Sequence, residues 1–217
     1  MTKKFKHKLQ PLDVEEMSIL PQWYQKTYFG SLKNNSVFGR RGVHGDGSCF
    51  FHAICAAQNT QNYLYVSPRK QQLIGHKFRC AFNSHVTQER WLKFLAHHKI
   101  KTKLTLEEME KQFCKNSHWA DEIMIKLVSD VLHLNLIFID TQQGEIYCGV
   151  HGKDTDPMIL ILWVGHKHFE PIFRIKGTTH PDSPAVAAQY VFSKQNHDDD
   201  IIDEVFRNYK MQCQDDD

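Results

Sequence analysis

Residues 45–57 read Gly-Asp-Gly-Ser-Cys-Phe-Phe-His-Ala-Ile-Cys-Ala-Ala, a small polar loop that runs directly into an apolar segment. The apolar segment predicts a helix over residues 49–58, so Cys49 would lie at a helix N-terminus. The two glycines permit the positive φ of a tight turn and a close backbone approach to a ligand. Unpaired N–H groups and the helix dipole stabilise a thiolate, so we expect the pKa of Cys49 to lie below that of a free thiol. Cys49 is therefore the candidate nucleophile.

A candidate base for this thiol lies far downstream. Residues 163–171 read Trp-Val-Gly-His-Lys-His-Phe-Glu-Pro, a turn between two apolar strands. His168 closes this hairpin, where two strands would hold its imidazole rigidly. Glu170 would lie on the same strand face, where its carboxylate could accept the Nδ1–H and leave Nε2 free to act on sulfur. Asp46 is the alternative carboxylate for this orienting role, and His166 is the nearest competing histidine.

Several other chemistries are not favoured by the spacings. The remaining cysteines have the sequence context of small buried residues. The chain has no Cys-x-x-Cys pair, and its close histidine pairs lack cysteines at zinc-like intervals. The loop before Cys49 lacks the Gly-Lys-Ser/Thr continuation of a phosphate-binding loop. We therefore expect no metal and no cofactor.

Composition narrows the class of protein further. The chain has 217 residues, 41% of them hydrophobic, which allows one domain with extensions and a sizeable core. A net charge of +2 without an aromatic-rich RNA motif is not typical of a nucleic-acid binder. No apolar run reaches membrane-spanning length, and six scattered cysteines favour free thiols in a reducing compartment. We expect a cytoplasmic protein without a nucleic-acid or membrane partner.

The apolar periodicity predicts helices first and strands afterwards. Thr105 and Glu108 have the spacing of a capping box, and Ser117 is a cap candidate for the last long helix, whose apolar stripe would begin at Trp119. Leu73 is expected on the apolar face of the second helix. The predicted helices cover residues 49–58, 68–83, 87–97, 105–113 and 118–132, and the predicted strands cover residues 134–139, 145–150, 158–164 and 169–175.

The strands predict the architecture. Strands that are apolar at nearly every position are buried on both faces, which indicates a central sheet covered by helices, an α/β (α+β) sandwich of the papain-like kind. We expect a docked N-terminal arm over residues 1–30 and a catalytic domain over residues 31–176. Residues 177–217 form a polar segment with an acidic tail and one candidate amphipathic helix.

Three motifs carry a resemblance to a known family. Residues 46–51, Asp-Gly-Ser-Cys-Phe-Phe, resemble the nucleophile motif of the ovarian tumour (OTU) family of cysteine peptidases. Residues 168–170, His-Phe-Glu, resemble its histidine motif, and residues 119–123, Trp-Ala-Asp-Glu-Ile, are similar to the Trp-containing helix between the two. The family usually has Asn where Ser48 stands and Asp or Asn where Glu170 stands.

The resemblance implies the OTU fold and a cysteine-type deubiquitinase. Such an enzyme removes ubiquitin, polyubiquitin or a ubiquitin-like modifier from lysine side chains by thiol attack on the C-terminal glycine carbonyl. It also implies that Asp46 shapes the loop whose backbone amides, including that of Cys49, form the oxyanion hole. A Gly-Gly tail fits a narrow channel, whose candidate substrate-binding residues are Gly47, Ser48, Trp163, Gly165, His166 and Lys167.

The residues by themselves indicate only acyl transfer by a Cys–His pair. Two interpretations other than a deubiquitinase therefore remain open at this point. One is a non-enzymatic ubiquitin-binding module of the same fold. The other is a papain-like peptidase with another substrate.

Overall fold

The computed structural model describes residues 9–30, 36–115, 118–147, 156–175 and 188–193, together with residues 203, 205, 207 and 208. Several predicted features lie outside the described residues. They are the first eight residues of the arm, the cap at Ser117, the end of the strand predicted over residues 145–150, Cys148, Cys213 and most of the segment 177–217.

The helices occur in the predicted order. Thr105 accepts a hydrogen bond from the Glu108 backbone and Glu108 reaches back to Thr105 N, so the predicted capping box is confirmed. Their bounds are α1 Gln22–Phe29, α2 Cys49–Gln58, α3 Pro68–Ala81, α4 Gln88–His97, α5 Leu106–Phe113 and α6 Glu122–Leu132, with 3-10 turns at Thr60–Tyr65 and Phe82–His85.

The start of α6 differs from the prediction. The helix begins at Glu122, four residues later than expected, because the Asp121 side chain accepts a hydrogen bond from Met124 N at 2.9 Å and caps it. Trp119 consequently precedes the helix and is 48% exposed, so the prediction that it begins the apolar stripe of this helix was wrong.

The buried face of α3 also differs from the prediction. Leu73 is 51% exposed, whereas Arg79 is fully buried. The buried positions repeat from Gln71 through Ile74 to Arg79, and Leu73 lies about 100° around the helix from Ile74. A charged side chain therefore occupies part of the face that packs into the protein.

The described strands form one mixed sheet in the order β1-β2-β6-β5-β3-β4, with β7 paired to β6 and β8 to β5. β5 runs parallel to β3 and antiparallel to β6. The bounds are β1 Met17–Ile19, β2 Val37–Arg41, β3 Asn135–Asp140, β4 Glu145–Tyr147, β5 Met158–Val164, β6 His168–Ile175, β7 Ala188–Gln189 and β8 Val191–Phe192.

Both faces of the central strands are buried, as the apolar runs predicted. On β3, Leu136 and Phe138 face the core formed with α2–α6, while Ile137 and Ile139 face a second core on the other side. The helix α1 supplies aromatic side chains such as Tyr24 and Tyr28 to that second core. The predicted α/β sandwich is thus confirmed.

The N-terminal segment, which precedes the candidate catalytic motifs in the sequence, packs against the sheet. β1 pairs antiparallel with β2, so that Met17 lies opposite Arg41. Gln25 of α1 accepts a hydrogen bond from Phe38 N at 3.0 Å and donates one to Leu20 O at 2.7 Å. These bonds attach α1 to β2 and to the residue that follows β1 through buried polar groups.

Candidate active site

Cys49 is the first residue of α2, as predicted, and α2 packs on β6. The thiol is 4% exposed and receives the backbone N–H groups of Phe169 and Phe50. Gly47 adopts the left-handed conformation at φ 80°, which makes the tight turn into the helix. Because Phe169 follows His168, this packing brings the nucleophile to the strand that carries the candidate base.

The ionisation of Cys49 differs from the sequence-based expectation. Burial raises the pKa of the thiol, and this effect outweighs the N–H groups of Phe169 and Phe50, which act in the opposite direction. The helix terminus is present, but the sulfur is too deeply buried for it to dominate. The resting form is therefore the neutral thiol, which needs a base when it attacks.

His168 is the first residue of β6, and its ring is buried. A methyl group built on Gly45 would lie 3.8 Å from His168 Nδ1, so Nδ1 faces the nucleophile loop. His168 Nε2 lies 3.9 Å from Glu170 Oε1, and in the described part of the chain it has no hydrogen-bond partner. The orientation of the ring thus differs from the expected one, because Nε2 and not Nδ1 faces the carboxylate.

The protonation of His168 follows from its surroundings. Burial, followed by the charges of His52 and Arg40, lowers the pKa of His168 to about 4. The imidazole is therefore neutral near pH 7 and able to accept a proton. The thiol of Cys49 and the imidazole of His168 are therefore both neutral near pH 7.

Glu170 lies behind His168 and is completely buried. Its Oε2 accepts a hydrogen bond from Arg40 Nη1 at 2.9 Å, and its Oε1 accepts one from Leu12 N at 2.7 Å. Burial raises the pKa of Glu170, while Arg40 and the Leu12 N–H oppose that rise. The carboxylate therefore faces His168 from 3.9 Å while its strongest partner is Arg40.

Asp46 forms hydrogen bonds within the nucleophile loop. Its Oδ1 accepts from Ser48 N at 3.1 Å and lies 3.1 Å from His52 Nε2. Burial opposes the ionisation of Asp46, but the hydrogen bond and charge of His52 and the Ser48 N–H outweigh it and lower its pKa to about 2. These contacts agree with the loop-shaping role that the resemblance implies for Asp46.

Arg79 attaches the other side of the same loop to its neighbours. Its Nη1 donates to Gly47 O at 2.8 Å and to Ser48 Oγ at 3.3 Å. Nη2 donates to Gln112 O at 3.3 Å, and the guanidinium also donates to the carbonyls of Phe113 and His118. A single buried cation thereby fixes the turn before Cys49 to the end of α5.

The candidate substrate-binding residues lie on the hairpin beside His168. The ring of His166 contacts that of Trp163 in a tilted arrangement at a centroid distance of 4.5 Å, and His166 Nε2 lies 2.5 Å from Asp140 Oδ2. Gly165 donates its N–H to Thr141 Oγ1 at 3.2 Å, and Lys167 is exposed. The β5–β6 turn is thus held against the end of β3.

An apolar cavity of about 170 Å³ adjoins this hairpin. Four of its eight lining residues are aromatic and two are carboxylates. The lining residues are Ala120, Asp121, Glu122, Ile125, Phe138, Tyr147, Trp163 and Phe169.

Three residues of the site were not identified from the sequence. No motif around Arg40 indicates a functional role, and its partner Glu170 follows 130 residues later. Arg79 carries a signal, since it shares a helix face with Ile74 and Gln71. His52 is the one histidine in the apolar run of α2 and a weaker candidate base by sequence, but its role behind Asp46 depends on contacts that the sequence does not display.

Two further properties of the described residues concern metals and membranes. No group of three or more His, Cys, Asp or Glu side chains in that part of the chain could hold a metal ion. Within the same residues, none of the helices combines the length and apolarity needed to cross a bilayer.

Solved structures of OTU domains are similar to this chain. An OTU domain in complex with ubiquitin has 20% sequence identity and a TM-score of 0.49, and the match covers 84% of this chain and 90% of that chain. The OTU deubiquitinase from Wolbachia pipientis wMel bound to ubiquitin has 16% identity and a TM-score of 0.40, covering 62% and 94%. The viral OTU domain protease from Qalyub virus has 15% identity and a TM-score of 0.40, covering 65% and 95%.

The range matched by a family model includes both candidate catalytic motifs. No curated protein sequence matches the chain significantly. The model for the OTU-like cysteine protease matches residues 44–169, which is more than half of the chain and includes Cys49 and His168. With this match and the packing of Cys49 against the strand of His168, the chain belongs to the OTU-like cysteine protease family.

Proposed function

We propose that the protein is a cysteine isopeptidase that removes ubiquitin from lysine side chains. The observation that carries this proposal is the position of Cys49, at the start of α2 with the Phe169 N–H directed at its thiol. The chain is a member of a cysteine protease family, and two of the similar OTU structures contain ubiquitin. The substrate is the part of the proposal that goes beyond the family.

The first half of the reaction is thioester formation. As Cys49 Sγ bonds to the carbonyl carbon of the terminal glycine, the thiol proton passes to His168, whose Nδ1 faces the nucleophile loop. Backbone N–H groups of that loop, including that of Cys49, stabilise the negative oxygen of the tetrahedral intermediate. When the C–N bond breaks, His168 returns the proton to the departing lysine amine.

The second half releases the modifier. His168 removes a proton from water as the water oxygen bonds to the thioester carbon, and the proton then returns to the Cys49 sulfur when the C–S bond breaks. Glu170 would accept a hydrogen bond from Nε2–H while His168 is protonated. A movement that shortens the present 3.9 Å separation would form this bond.

The cavity beside the hairpin supports a path for the modifier tail. A Gly-Gly terminus has no side chains and therefore fits between Trp163 and the nucleophile loop. The preceding tail residues would lie against Phe169 and Tyr147, and the carboxylates of Asp121 and Glu122 also belong to this lining. We propose this cavity, Gly165, His166 and Lys167 as the tail-binding wall.

The thiol chemistry also bears on the location of the protein. Cys49, Cys55, Cys80 and Cys114 are free thiols among the described residues. A thiol nucleophile works only while it is reduced, so we propose that the protein acts in a reducing compartment such as the cytoplasm.

The experiment is incubation of the full chain with ubiquitin that carries a C-terminal electrophile, analysed by intact mass. We expect one ubiquitin per chain in the wild-type protein, none in Cys49→Ala, and the wild-type result in the control Cys114→Ala, which changes an exposed thiol. Hydrolysis of ubiquitin–rhodamine should likewise be retained in the wild-type protein and Cys114→Ala and lost in Cys49→Ala. Parallel reactions with other ubiquitin-like modifiers measure selectivity.

Other outcomes identify the alternatives. Binding of ubiquitin without adduct or turnover would indicate a non-enzymatic module. An adduct with a different modifier alone would indicate another deconjugase. Reaction of Cys49 with small electrophiles but with none of the modifiers would indicate a peptidase with another substrate.

A further inference from the structure

The carboxylate behind His168 is held by residues outside the family match. The match covers residues 44–169, whereas Leu12 and Arg40 precede it and Glu170 follows it. Leu12 N donates to Oε1 at 2.7 Å and Arg40 Nη1 donates to Oε2 at 2.9 Å. The two oxygens of Glu170 are therefore fixed separately, and Oε1 is the one that lies 3.9 Å from His168 Nε2.

Arg40 joins the N-terminal segment to this carboxylate. Its Nη1 also donates to Gln10 O at 2.8 Å, so one nitrogen bonds to both the segment and Glu170. The backbone of the same segment is attached to the end of β2, because Glu15 N donates to Gly42 O at 3.1 Å and Gly42 N donates to Glu16 O at 2.8 Å. Residues 10–16 thus form a strap across β2 that ends on Glu170.

The charge of Arg40 decides the form of Glu170. A carboxyl group that is wholly buried without a cation favours the protonated form. A protonated Glu170 could not stabilise an imidazolium at His168. The charged or titratable groups that face the pair are Arg40 from β2, Glu16 from the strap and His52 from α2. Of these, Arg40 is the one that forms an ion pair with the carboxylate.

We infer that Arg40, together with the strap of residues 10–16, is a positioning element of the catalytic machinery that holds Glu170 ionised and aimed at His168 Nε2. The inference rests on the proposed function for its substrate but not for its geometry. It extends the catalytic unit beyond the residues matched by the family, into the N-terminal segment.

The test compares Arg40→Met with Arg40→Lys and with Arg41→Met, a matched loss of a buried arginine on the next residue of the same strand. Arg41 contacts Met17 Sδ and not Glu170. For Arg40→Met we expect kcat of ubiquitin–rhodamine hydrolysis at neutral pH to fall by about 10- to 100-fold, part of what a positioned acid–base group contributes. KM should stay within about twofold.

The pH profile separates positioning from a merely structural role. In Arg40→Met the acidic limb of kcat should move upward by about one pH unit or more, because Glu170 then ionises only at higher pH. Arg40→Lys restores the charge and should recover most of kcat and the profile. Arg41→Met should leave both unchanged. If Arg40→Met does not fold, Arg40→Gln, which keeps a donor without charge, is measured in its place.

An unchanged kcat and pH profile in a folded Arg40→Met or Arg40→Gln protein would overturn the inference, even if its melting temperature fell. The rate of Cys49 alkylation by iodoacetamide is measured against pH in the same proteins and needs no ubiquitin. If the wild-type chain does not hydrolyse ubiquitin–rhodamine, the proposed function fails. The alkylation profile of the Arg40 variants, which should shift upward in the same way, still decides the role of Arg40.

Discussion

His52 Nε2 lies 3.1 Å from Asp46 Oδ1, one helical turn behind the nucleophile. Because the ionised Asp46 can only accept, Nε2 carries a proton, and Nδ1 lies 2.9 Å from Tyr63 OH. The same Asp46 oxygen accepts from Ser48 N. A buried hydrogen-bonded chain from Tyr63 through His52 and Asp46 thus shapes the backbone that presents Cys49.

The first prediction concerns the space beside His52. A methyl group built on Gly75 would lie 2.2 Å from the His52 ring, which is buried and bonded through both nitrogens. Within a helix, alanine is more favourable than glycine by about 1 kcal/mol in intrinsic helix propensity. Overpacking costs about 1–3 kcal/mol, and lost hydrogen bonds add to that cost. We expect Gly75→Ala to lower the melting temperature and slow the alkylation of Cys49 by iodoacetamide.

The control for this prediction is the double variant Gly75→Ala/His52→Ala. Removal of the ring removes the clash. The loss in free energy of unfolding in the double variant should therefore be smaller than the sum of the losses in Gly75→Ala and His52→Ala. Urea unfolding measures all three variants. Fully additive effects would show that Gly75 and His52 do not press on each other.

The second prediction concerns stability in mild acid. The pKa of His168 is about 4 in the folded protein and 6.5 when it is free of the fold. Between these values the unfolded chain binds more protons than the folded one, so stability falls as the pH falls from 6.5 to 4. Over this pH interval the histidine alone lowers the free energy of unfolding by roughly 3 kcal/mol. Urea unfolding at several pH values should therefore give a shallower slope for His168→Gln.

His85→Gln is the control for this pH dependence, because His85 is exposed at the end of a 3-10 turn. Its slope should equal that of the wild-type protein. Burial also lowers the pKa of His44 and His98, so part of the slope remains in His168→Gln. Equal slopes in the wild-type protein and His168→Gln would show that His168 titrates normally.

Local patterns were sufficient for most of the fold. The unbroken apolar run of β5 and the start of α2 at Cys49 appear where the sequence predicted them. The start of α6 was missed because Ser117 and Asp121 are both residue types that favour helix N-caps. The hydrogen bond that Asp121 accepts from Met124 N identifies Asp121 as the cap. The capping preference of a residue type does not predict which of two such residues begins the helix, because that depends on tertiary packing.

Contacts between residues distant in sequence could not be predicted. Cys49 and His168 could be predicted as a candidate pair because each lies in a compact motif. The ion pair of Arg40 and Glu170 joins strands that are adjacent only in the folded sheet. The direction of His168 Nε2 and the raised pKa of Cys49 likewise depend on burial, which no local motif specifies.

The third prediction separates His166 from His168. His166 is partly exposed, contacts the Trp163 ring and bonds to Asp140, so we assign it to the proposed wall beside the site. His166→Ala should raise KM of ubiquitin–rhodamine hydrolysis while kcat stays within about twofold, because the wall contributes to binding of ground state and transition state alike. His168→Ala should abolish turnover. The reverse result, with His166→Ala inactive and His168→Ala active, would exchange the two roles.

The fourth prediction concerns the acidic tail, whose described residues 203, 205, 207 and 208 are helical. Val205 is 2% exposed in the core that contains Tyr28, and Asn208 Nδ2 donates to Tyr28 O at 3.1 Å. This core lies on the sheet face opposite α2. Removal of residues 198–217 should therefore lower the melting temperature but leave kcat/KM for ubiquitin–rhodamine nearly unchanged.

A point substitution tests the same packing without truncation. Val205→Ala should reduce the free energy of unfolding by about 1–3 kcal/mol, the scale for buried aliphatic groups, whereas Asp203→Ala on the exposed side should have no effect. Urea unfolding and ubiquitin–rhodamine hydrolysis are measured on both. A loss of turnover at unchanged stability would contradict this prediction, because it would mean that the tail acts on the substrate side of the sheet.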